Sequence, residues 1–214
     1  MYLHSATSHG MTWNDGEVLA RGFDHKSIFE NLDENGLTWK SYFQEVPGTV
    51  FFKYLRRRPA LGNLHHYSVF KEHAAAGTLP TYSFIDPRYF DTPEYPENDD
   101  HPHGGGVTEG QWLYKDVYEI LRASPAWENT ALLITYDEHG GFFDHVPTPV
   151  EDIPNPDGII GEDPDFAFDR YGWVFCSLYP TNQPINSLGV RVPALLISPW
   201  VPKGLVINKP DGKT

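Results

Sequence analysis

The hydrophobic positions of this 214-residue chain form short runs of strand type, separated by polar and glycine-rich stretches. Such runs lie at 2–6, 37–43, 81–85, 131–135 and 192–197. The run at 131–135 is apolar and contains branched side chains, which predicts a fully buried strand, and 192–197 has the same character. The run at 37–43 alternates between apolar and polar positions, as a strand with one buried face does.

Helical patterns lie between these runs. They are predicted at 25–35, 49–55, 68–76 and 107–122. The pattern at 107–122 is the best of them, because one apolar stripe follows it until Ser124 and Pro125 stop the helix. The strand at 81–85, a loop, this helix and the strand at 131–135 follow each other in the order of a βαβ unit. The chain therefore predicts an α/β fold with a mostly parallel sheet.

The richest chemistry follows the strand predicted at 131–135. Here the chain reads Tyr136-Asp137-Glu138-His139-Gly140-Gly141. In open α/β sheets, ligands bind beyond the carboxyl ends of the strands. Carboxylate oxygens placed there can hold a divalent cation, and imidazole can bind a metal or transfer protons. The alternative is a polar loop whose charges are solvated, and the residue types alone leave both interpretations open.

A long loop at 91–106 carries further candidate groups. It contains several acid and imidazole side chains, among them Asp100 and His101. Long loops inside compact domains tend to be either functional or disordered, and this density of ionisable groups favours function. Asp100 or His101 could therefore reach an active site, as an acid–base group or as a ligand.

Two other polar stretches allow a functional and a structural interpretation. In the first, Thr7 or Ser8 could act as a nucleophile with His9 as base, but adjacent side chains on extended backbone diverge, which favours a polar turn lining a site. In the second, the three arginines at 56–58 could bind phosphate. A solvated helix end, where positive charge complements the helix dipole, is favoured over phosphate binding.

The charge balance excludes one class of partner. The chain has 29 acidic and 16 basic residues, a net charge of −13. Non-specific nucleic-acid binding depends on lysine and arginine, so no nucleic-acid partner is expected. A phosphate-ester substrate is still compatible with this charge, because a bound cation reverses the local field. No apolar run approaches the roughly 18 residues of a membrane span, so we expect a soluble or peripheral membrane protein.

The segment YDEHGGFFDHVPTP at 136–149 closely resembles the signature of the phosphoesterase family that contains the non-specific phospholipases C and related acid phosphatases. Other segments resemble the plant-type phospholipases of this family, in the same order. They are HSATSHG at 4–10, IFENLDENGLT at 28–38, NDDHP at 98–102, LRASPAW at 121–127, PNPDGIIG at 154–161, FDR at 168–170 and LGVRVPALLISPWV at 188–201. The resemblance therefore spans nearly the whole chain.

The resemblance implies an alkaline-phosphatase-like α/β sandwich that hydrolyses phosphate esters. The expected reaction is phospholipase C-type cleavage of glycerophospholipids through a metal-assisted phospho-enzyme, with phosphomonoester hydrolysis as the alternative. Asp137 and Glu138 match metal ligands of the family, for a divalent ion of open identity. His101 matches an active-site histidine, and Asp100 and His139 are expected to bind substrate. The expected partner is a phospholipid or another phosphate ester, with peripheral membrane contact.

The chain also departs from the family pattern. It contains no segments like ENRSFDH and PTxPNR, which complete the metal site and hold the nucleophile in the family, and no FEHSS-like segment. We therefore expect 1–214 to be a single phosphoesterase domain that lacks its N-terminal and C-terminal parts, and an inactive remnant is a third functional hypothesis. Residues 171–187 separate two segments that are normally adjacent. We interpret them as an insertion, either a retained intron or a surface loop.

Overall fold

A computed structural model gives the structure of residues 1–11, 15–102, 107–149, 156–159 and 188–206. Within these residues the strands form two small sheets. In the first, β1 (Trp39–Phe43), β2 (Leu64–His66) and β3 (Tyr82–Ile85) are all parallel and lie in the order β2–β1–β3. In the second, β4 (Leu132–Thr135) pairs with β5 (Ala194–Ile197) in antiparallel fashion.

Helices of very different lengths accompany these strands. The described α-helices are α1 (Tyr2–Ser5), α2 (Gly16–Arg21), α3 (Ile28–Glu34), α4 (Arg58–Leu61), α5 (Tyr67–Ala76) and α6 (Thr108–Ala123). Short 3₁₀ turns lie at Gly48–Phe51, Lys53–Arg56 and Trp127–Asn129. α5 ends where Gly77 adopts a left-handed conformation with a φ of 68°, which glycine takes without steric strain.

The central strand β1 carries a hydrophobic cluster on each of its faces. Trp39 belongs to one cluster, together with Phe29 of α3. Tyr42 belongs to the other, together with Phe70 of α5 and Val117 of α6. Side chains alternate along a strand, so positions 39 and 42 point to opposite faces of the sheet. Helices therefore cover both faces of the parallel sheet, which confirms the predicted α/β class.

The parallel pairing is made by a different βαβ unit from the predicted one. The elements β2, α5 and β3 follow each other along the chain, and β1 lies between the two strands. The predicted strands at 81–85 and 131–135 and the helix that connects them are present as β3, β4 and α6. Among the described residues, however, β4 pairs with β5 and not with β3. The order of elements along a chain does not fix which strands become neighbours.

The strand β4 is confirmed, but the prediction that it is fully buried is wrong for the described part of the chain. Leu132 and its cross-strand neighbour Ile197 pack against the second core cluster. Leu133 is 57% exposed, and Leu196 opposite it is 54% exposed. Leu195, on the same face as Leu132 and Ile197, is exposed as well, so only part of one face of this sheet meets the core. A continuous apolar run indicates a strand without showing which of its faces another element covers.

Two other predicted elements are wrong in type. In place of the strand predicted at 2–6, Tyr2–Ser5 form the helical turn α1, which Ala6 caps. The ring of His4 packs there against Phe29 and Phe84, with centroid distances of 5.2 and 4.6 Å. Five residues are too few for alternation to separate a strand from one helical turn. Residues 49–55 form parts of two 3₁₀ turns in place of one short helix.

The first arginine of the 56–58 run stabilises the fold through hydrogen bonds to backbone carbonyls. The Arg56 guanidinium donates hydrogen bonds of 2.9 to 3.2 Å to carbonyl oxygens in the last turn of α2 and one of 2.7 Å to the Val50 carbonyl. The last carbonyls of a helix lack partners within the helix. Arg56 supplies those partners for α2 from a neighbouring segment.

Two further expectations concern membrane-spanning segments and the insertion at 171–187. In the described part of the chain, no helix has the length and apolar character needed to cross a membrane. The insertion predicted at 171–187 lies outside the described residues.

Candidate functional site

A buried carboxylate lies where the carboxyl ends of β1 and β3 meet. Asp86 follows β3 directly and is 1% exposed. Its Oδ1 accepts a hydrogen bond from the Tyr89 hydroxyl at 2.8 Å, and its Oδ2 accepts one from the Ser41 hydroxyl at 3.3 Å. The Ser41 hydroxyl in turn accepts a hydrogen bond from Thr49 at 3.4 Å. These residues form a buried polar network at the edge of the sheet where ligands bind in α/β folds.

The pKa of Asp86 makes stability depend on pH in an unusual direction. Burial raises the pKa of this carboxyl from 3.8 to about 6, and hydrogen bonds from Tyr89 and Ser41 oppose only part of the rise. As the pH rises, the unfolded chain therefore loses this proton before the folded protein does. At about 1.4 kcal/mol per pKa unit, Asp86 should lower the free energy of unfolding by about 3 kcal/mol between about pH 4 and pH 6.

We expect Asp86→Asn to remove this effect, because the amide does not titrate. Relative to wild type, the variant should gain about 3 kcal/mol in free energy of unfolding between about pH 4 and pH 6, as measured by urea denaturation. Asp24→Asn is the control. The hydrogen bond from Lys53 lowers the pKa of Asp24, so this variant should change the pH dependence in the opposite direction. A pH-independent difference for Asp86→Asn would contradict the prediction.

The loop that follows Asp86 is fixed to the end of β1. The Asn98 side-chain oxygen accepts a hydrogen bond of 2.6 Å from the backbone N–H of Arg88. The Asn98 amide donates to Gln44 Oε1 at 3.1 Å, and the Arg88 guanidinium donates to the same oxygen at 3.0 Å. The beginning of the NDDHP segment is therefore held at the edge of the parallel sheet.

Asp100 connects the same loop to α6 and to the end of β4. Its Oδ2 accepts hydrogen bonds from the hydroxyls of Tyr114 on α6, at 2.7 Å, and of Tyr136, at 2.8 Å. Its Oδ1 is buried and has no hydrogen-bond partner among the described residues. This oxygen faces Gly110 of α6, where an added Cβ would lie 1.9 Å from it. Burial raises the pKa of both tyrosine hydroxyls, and their hydrogen bonds to Asp100 raise it further.

His101 lies between two residues that contact the turn after β4. Asp100 precedes it and accepts the hydrogen bond from Tyr136. Pro102 follows it and lies against Gly140, where an added Cβ would be 3.4 Å from the proline Cγ. The structure therefore places the backbone of the candidate catalytic histidine alongside residues 136–140, which include the two candidate metal ligands.

The turn at 136–140 is fixed by its own hydrogen bonds. Glu138 Oε2 accepts the backbone N–H of Gly140 at 2.8 Å. Gly140 has a φ of 65°, in the left-handed region that glycine adopts without strain. His139 Nδ1 donates to the backbone carbonyl of Phe142 at 3.0 Å, so this ring helps to close the turn. The substrate-binding role of His139 stays a prediction.

Asp137 lies close enough to the Asp86 network to affect it electrostatically. The pKa of the Tyr89 hydroxyl is raised by burial first and by Asp86 next, and the negative charges of Asp137 and Asp99 add to this effect. The end of β3, the NDDHP loop and the end of β4 therefore meet in one acidic region. Asp137 and Glu138 are both exposed there, as a ligand site requires.

The described residues supply only part of the ligand set for a cation. Asp137 and Glu138 offer carboxylate oxygens, the donors that hard divalent cations prefer. No group of three or more His, Cys, Asp or Glu side chains placed to hold a metal occurs in the described ranges. The two carboxylates fit a divalent cation in donor type, but they do not form a complete site by themselves.

A bidentate ion pair joins two of the segments that carry the family resemblance. Arg191 donates from Nε and Nη2 to the two oxygens of Asp144, at 2.6 and 2.9 Å. Planar guanidinium and carboxylate groups match in this geometry, which adds directional specificity to the charge attraction. The pair ties the segment after the 136–140 turn to the chain that enters β5.

The turn at Thr7 and His9 holds the carboxylate of Asp157. Thr7 Oγ1 donates to Asp157 Oδ2 at 2.8 Å, and His9 Nδ1 lies 3.1 Å from the same oxygen. Thr7 Oγ1 also accepts the backbone N–H of His9 at 2.9 Å. A general base must hydrogen-bond its nucleophile, whereas this imidazole and this hydroxyl both bind Asp157. The geometry favours the polar-turn interpretation.

Three side chains in this region, those of Asp86, Tyr114 and Tyr136, were not selected from the sequence as functional residues. Asp86 had a usable signal, because it directly follows a predicted strand, as the acidic turn does after 131–135. Tyr114 and Tyr136 had none. Their hydroxyls meet at Asp100 only after a helix, a strand and a loop have folded together, and no local spacing encodes that contact.

Comparison with known proteins assigns the chain to a family. The model of the phosphoesterase family matches residues 1–214. Non-specific phospholipase C1 of Arabidopsis thaliana is 54% identical over 215 residues, which cover 100% of this chain and 37% of the relative. Non-specific phospholipase C4 of the same plant is 48% identical over 213 residues, covering 99% of this chain and 36% of the relative.

A bacterial relative extends the match beyond plants. Non-hemolytic phospholipase C of Pseudomonas aeruginosa is 30% identical over 220 residues, which cover 92% of this chain and 30% of the relative. The chain spans a little over a third of the length of the plant relatives, as the 37% and 36% coverages show. Because the family model matches residues 1–214 and the two plant relatives cover 99% or more of the chain, this chain belongs to the phosphoesterase family.

Proposed function

We propose that this protein hydrolyses phosphate esters, by phospholipase C-type cleavage of glycerophospholipids. The observation that carries the proposal is the position of His101 alongside the turn that presents Asp137 and Glu138. Such a combination of a proton-transfer group and adjacent carboxylates suits phosphoryl transfer. In that reaction the negative charge on the phosphoryl oxygens must be stabilised and the leaving group must receive a proton. The names of the relatives, phospholipases C from plants and bacteria, support this substrate class.

In this proposal His101 protonates the leaving alkoxide. Cleavage on the glycerol side of the phosphate expels an alkoxide, which is a poor leaving group unless a proton reaches it as the P–O bond breaks. Imidazole can hold and release a proton near neutral pH, so it suits this role. The contacts of Asp100 and Pro102 on either side of His101 keep its backbone beside the acidic turn.

The proposal also includes a divalent cation, with Asp137 and Glu138 as two of its ligands. A bound cation would spread the negative charge of the phosphoryl oxygens. The support is the donor type and exposure of the two carboxylates, with the hydrogen bond from Gly140 orienting Glu138. Among the described residues, no third His, Cys, Asp or Glu side chain is placed to complete the site.

We expect Asp137→Asn and Glu138→Gln each to weaken cation binding by about one order of magnitude or more, because ligand charge sets cation affinity. Isothermal titration of the purified protein with Mn²⁺ and with Ca²⁺ measures this directly, without reference to activity. Glu119→Gln is the matched control, since Glu119 is an exposed acid paired with Lys115 on α6. Unchanged affinity in both variants would remove these residues from the proposed site.

Turnover by the purified full-length protein tests the reaction class. Phosphatidylcholine in vesicles, a short-chain phosphatidylcholine in solution and an aryl phosphate monoester are compared, with phosphocholine or phosphate release as the readout. Release of phosphocholine from either phospholipid supports the proposal. Turnover of the monoester alone would make the protein a phosphomonoesterase, and no turnover of any substrate would overturn both.

Access to a lipid substrate requires peripheral contact with a membrane. Phe142 and Phe143 directly follow the acidic turn and are 66% and 88% exposed. Exposed aromatic side chains beside a polar site suit the boundary between lipid headgroups and acyl chains. Within the proposal, these two residues are the described side chains that meet the bilayer. Equal rates on vesicles for wild type and a Phe142→Ser, Phe143→Ser double variant would argue against this contact.

A further inference from the structure

We propose that Asp100 is a positioning residue, which locks the NDDHP loop so that His101 is held beside the turn at 136–140. The inference deepens the proposed function and rests on it for the role of His101. It also differs from the sequence-based prediction, which gives Asp100 a direct contact with substrate.

Both oxygens of the Asp100 carboxylate face the protein interior, although only Oδ2 accepts hydrogen bonds there. Oδ2 accepts hydrogen bonds from Tyr114 and Tyr136, at 2.7 and 2.8 Å. Hydroxyl donors to an ionised carboxylate form hydrogen bonds stronger than those between neutral groups. Oδ1 is buried against the backbone of Gly110. A substrate phosphate would therefore have to displace a tyrosine to reach this side chain, and it would meet negative charge there.

The backbone of Asp100 is held in a conformation that needs such support. Its φ is 61°, in the left-handed region that residues other than glycine adopt rarely, although aspartate and asparagine tolerate it best. Conformations of this kind persist when surrounding contacts determine them. The two tyrosine hydrogen bonds provide those contacts. Gly110 leaves the space that the carboxylate occupies, because it has no side chain.

The chain is consequently held at two independent points just before His101, and Pro102 after it lies against Gly140. Upstream, Asn98 binds Gln44 at the end of β1 and the backbone of Arg88. Asp100 then connects the loop to α6 and β4. Through these contacts the loop bridges the parallel sheet and the β4–β5 sheet. A proton donor must stay within hydrogen-bond reach of the atom it protonates, so loosening this bridge should affect proton delivery first.

Two substitutions release the Asp100 contact by different routes. Asp100→Asn keeps the shape of the side chain but removes its charge, which weakens both tyrosine hydrogen bonds. Gly110→Ala keeps the aspartate at position 100 but puts a methyl group where its Oδ1 lies, so the carboxylate must move. Alanine favours helix more than glycine does. A loss of activity or of loop protection caused by Gly110→Ala would therefore not come from weaker helix propensity in α6.

Tyr67→Phe is the matched control for both variants. Like Tyr114, Tyr67 donates its hydroxyl to a carboxylate on a neighbouring element, here Asp116 of α6 at 3.1 Å. Tyr67 packs in the second core cluster, away from the NDDHP loop. The control therefore removes a hydrogen bond of the same type from the same helix without touching the proposed lock.

Amide hydrogen exchange of the full-length protein measures the lock without reference to activity. Asp100→Asn and Gly110→Ala should both speed exchange in peptides covering 98–101, while peptides from β1 and α5 exchange as in wild type. Tyr67→Phe should leave the loop peptide unchanged. Wild-type exchange of this peptide in both Asp100→Asn and Gly110→Ala would overturn the proposal that Asp100 locks the loop.

Leaving-group dependence tests whether the lock acts through His101. With phosphatidylcholine, whose leaving group needs a proton, both variants should lower kcat about 10-fold to 100-fold, the usual range for a supporting residue. With p-nitrophenyl phosphocholine, whose leaving group needs none, the loss should be clearly smaller. Equal losses on both esters would overturn the link to His101. A wild-type protein inactive on both would overturn the proposed function, while hydrogen exchange still decides the lock.

Discussion

Replacing His101 by glutamine should lower kcat on phosphatidylcholine by about 100-fold to 10,000-fold, the usual contribution of a positioned general acid. Glutamine is similar in size and can still donate a hydrogen bond, but its amide is too weak an acid to transfer a proton to the alkoxide. KM should change little, because the proton is transferred only as the transition state forms. Steady-state kinetics on phosphatidylcholine and on p-nitrophenyl phosphocholine measure both effects, and the second ester should show the smaller loss.

His66→Gln serves as the matched control for this prediction. His66 is an exposed imidazole at the N-terminus of α5, where its side chain accepts the backbone N–H of Ser68. Its replacement should leave kcat near the wild-type value at a temperature where the protein is folded. If His101→Gln kept kcat within about threefold of wild type, a general-acid role for His101 would be ruled out, since the expected loss is at least about 100-fold.

The elements of the fold were predictable where sequence pattern and stop signals agree. The helix predicted at 107–122 is α6 at Thr108–Ala123, with Ser124 at its C-terminal cap. Similarly, Gly77 ends α5 in the left-handed conformation that glycine favours. The strand ends that carry Asp86 and Asp137 were located correctly for the same reason. In each case, local chemistry decided the local structure.

The pairing of strands and the burial of their faces were not predictable from the hydrophobic patterns. The apolar run at 131–135 correctly indicated β4, but it could not show that β5 would be its neighbour or that Leu133 would be exposed. The turn α1 was predicted as a strand because its type depends on packing of His4 against Phe29 and Phe84, which lie far away in the sequence. Both errors concern contacts between distant segments, which periodicity does not describe.

The candidate site divides in the same way. Asp137, Glu138 and His101 could be selected from the sequence because they follow strands or match family segments. Asp100 could also be selected, but only as a substrate-binding residue, and the contacts that bring these residues together could not be predicted. Asp100 meets Tyr114 and Tyr136 across three separate elements, and only the folded chain shows that its carboxylate faces inward. Residues that perform chemistry leave a trace in local sequence, whereas residues that position them often do not.

Replacing Phe29 by alanine should lower the free energy of unfolding by about 3 to 5 kcal/mol, the range for removing a buried phenylalanine. Phe29 is fully buried, and its ring lies 4.8 Å from that of Trp39 and 5.2 Å from that of His4. The lost contacts and the remaining cavity both contribute to the effect. Urea denaturation at one fixed pH measures it, with Phe90→Ala as control. Phe90 is 64% exposed, so its replacement should change stability by no more than about 0.5 kcal/mol.

The consequence of Phe29→Ala should extend to the site, because Trp39 and Ser41 lie on the same face of β1. Phe29 supports Trp39 there, and Ser41 donates to the Asp86 carboxylate that closes the neighbouring network. A cavity next to Trp39 should therefore loosen the Asp86 network before the α5–α6 side of the sheet, which the second cluster supports independently. Hydrogen exchange of the variant should rise first in peptides from α3 and the 86–90 segment. A loss below about 1 kcal/mol would contradict the predicted contribution of Phe29 to the core. A uniform rise in exchange across both clusters would show that the two faces of β1 do not form separate packing units.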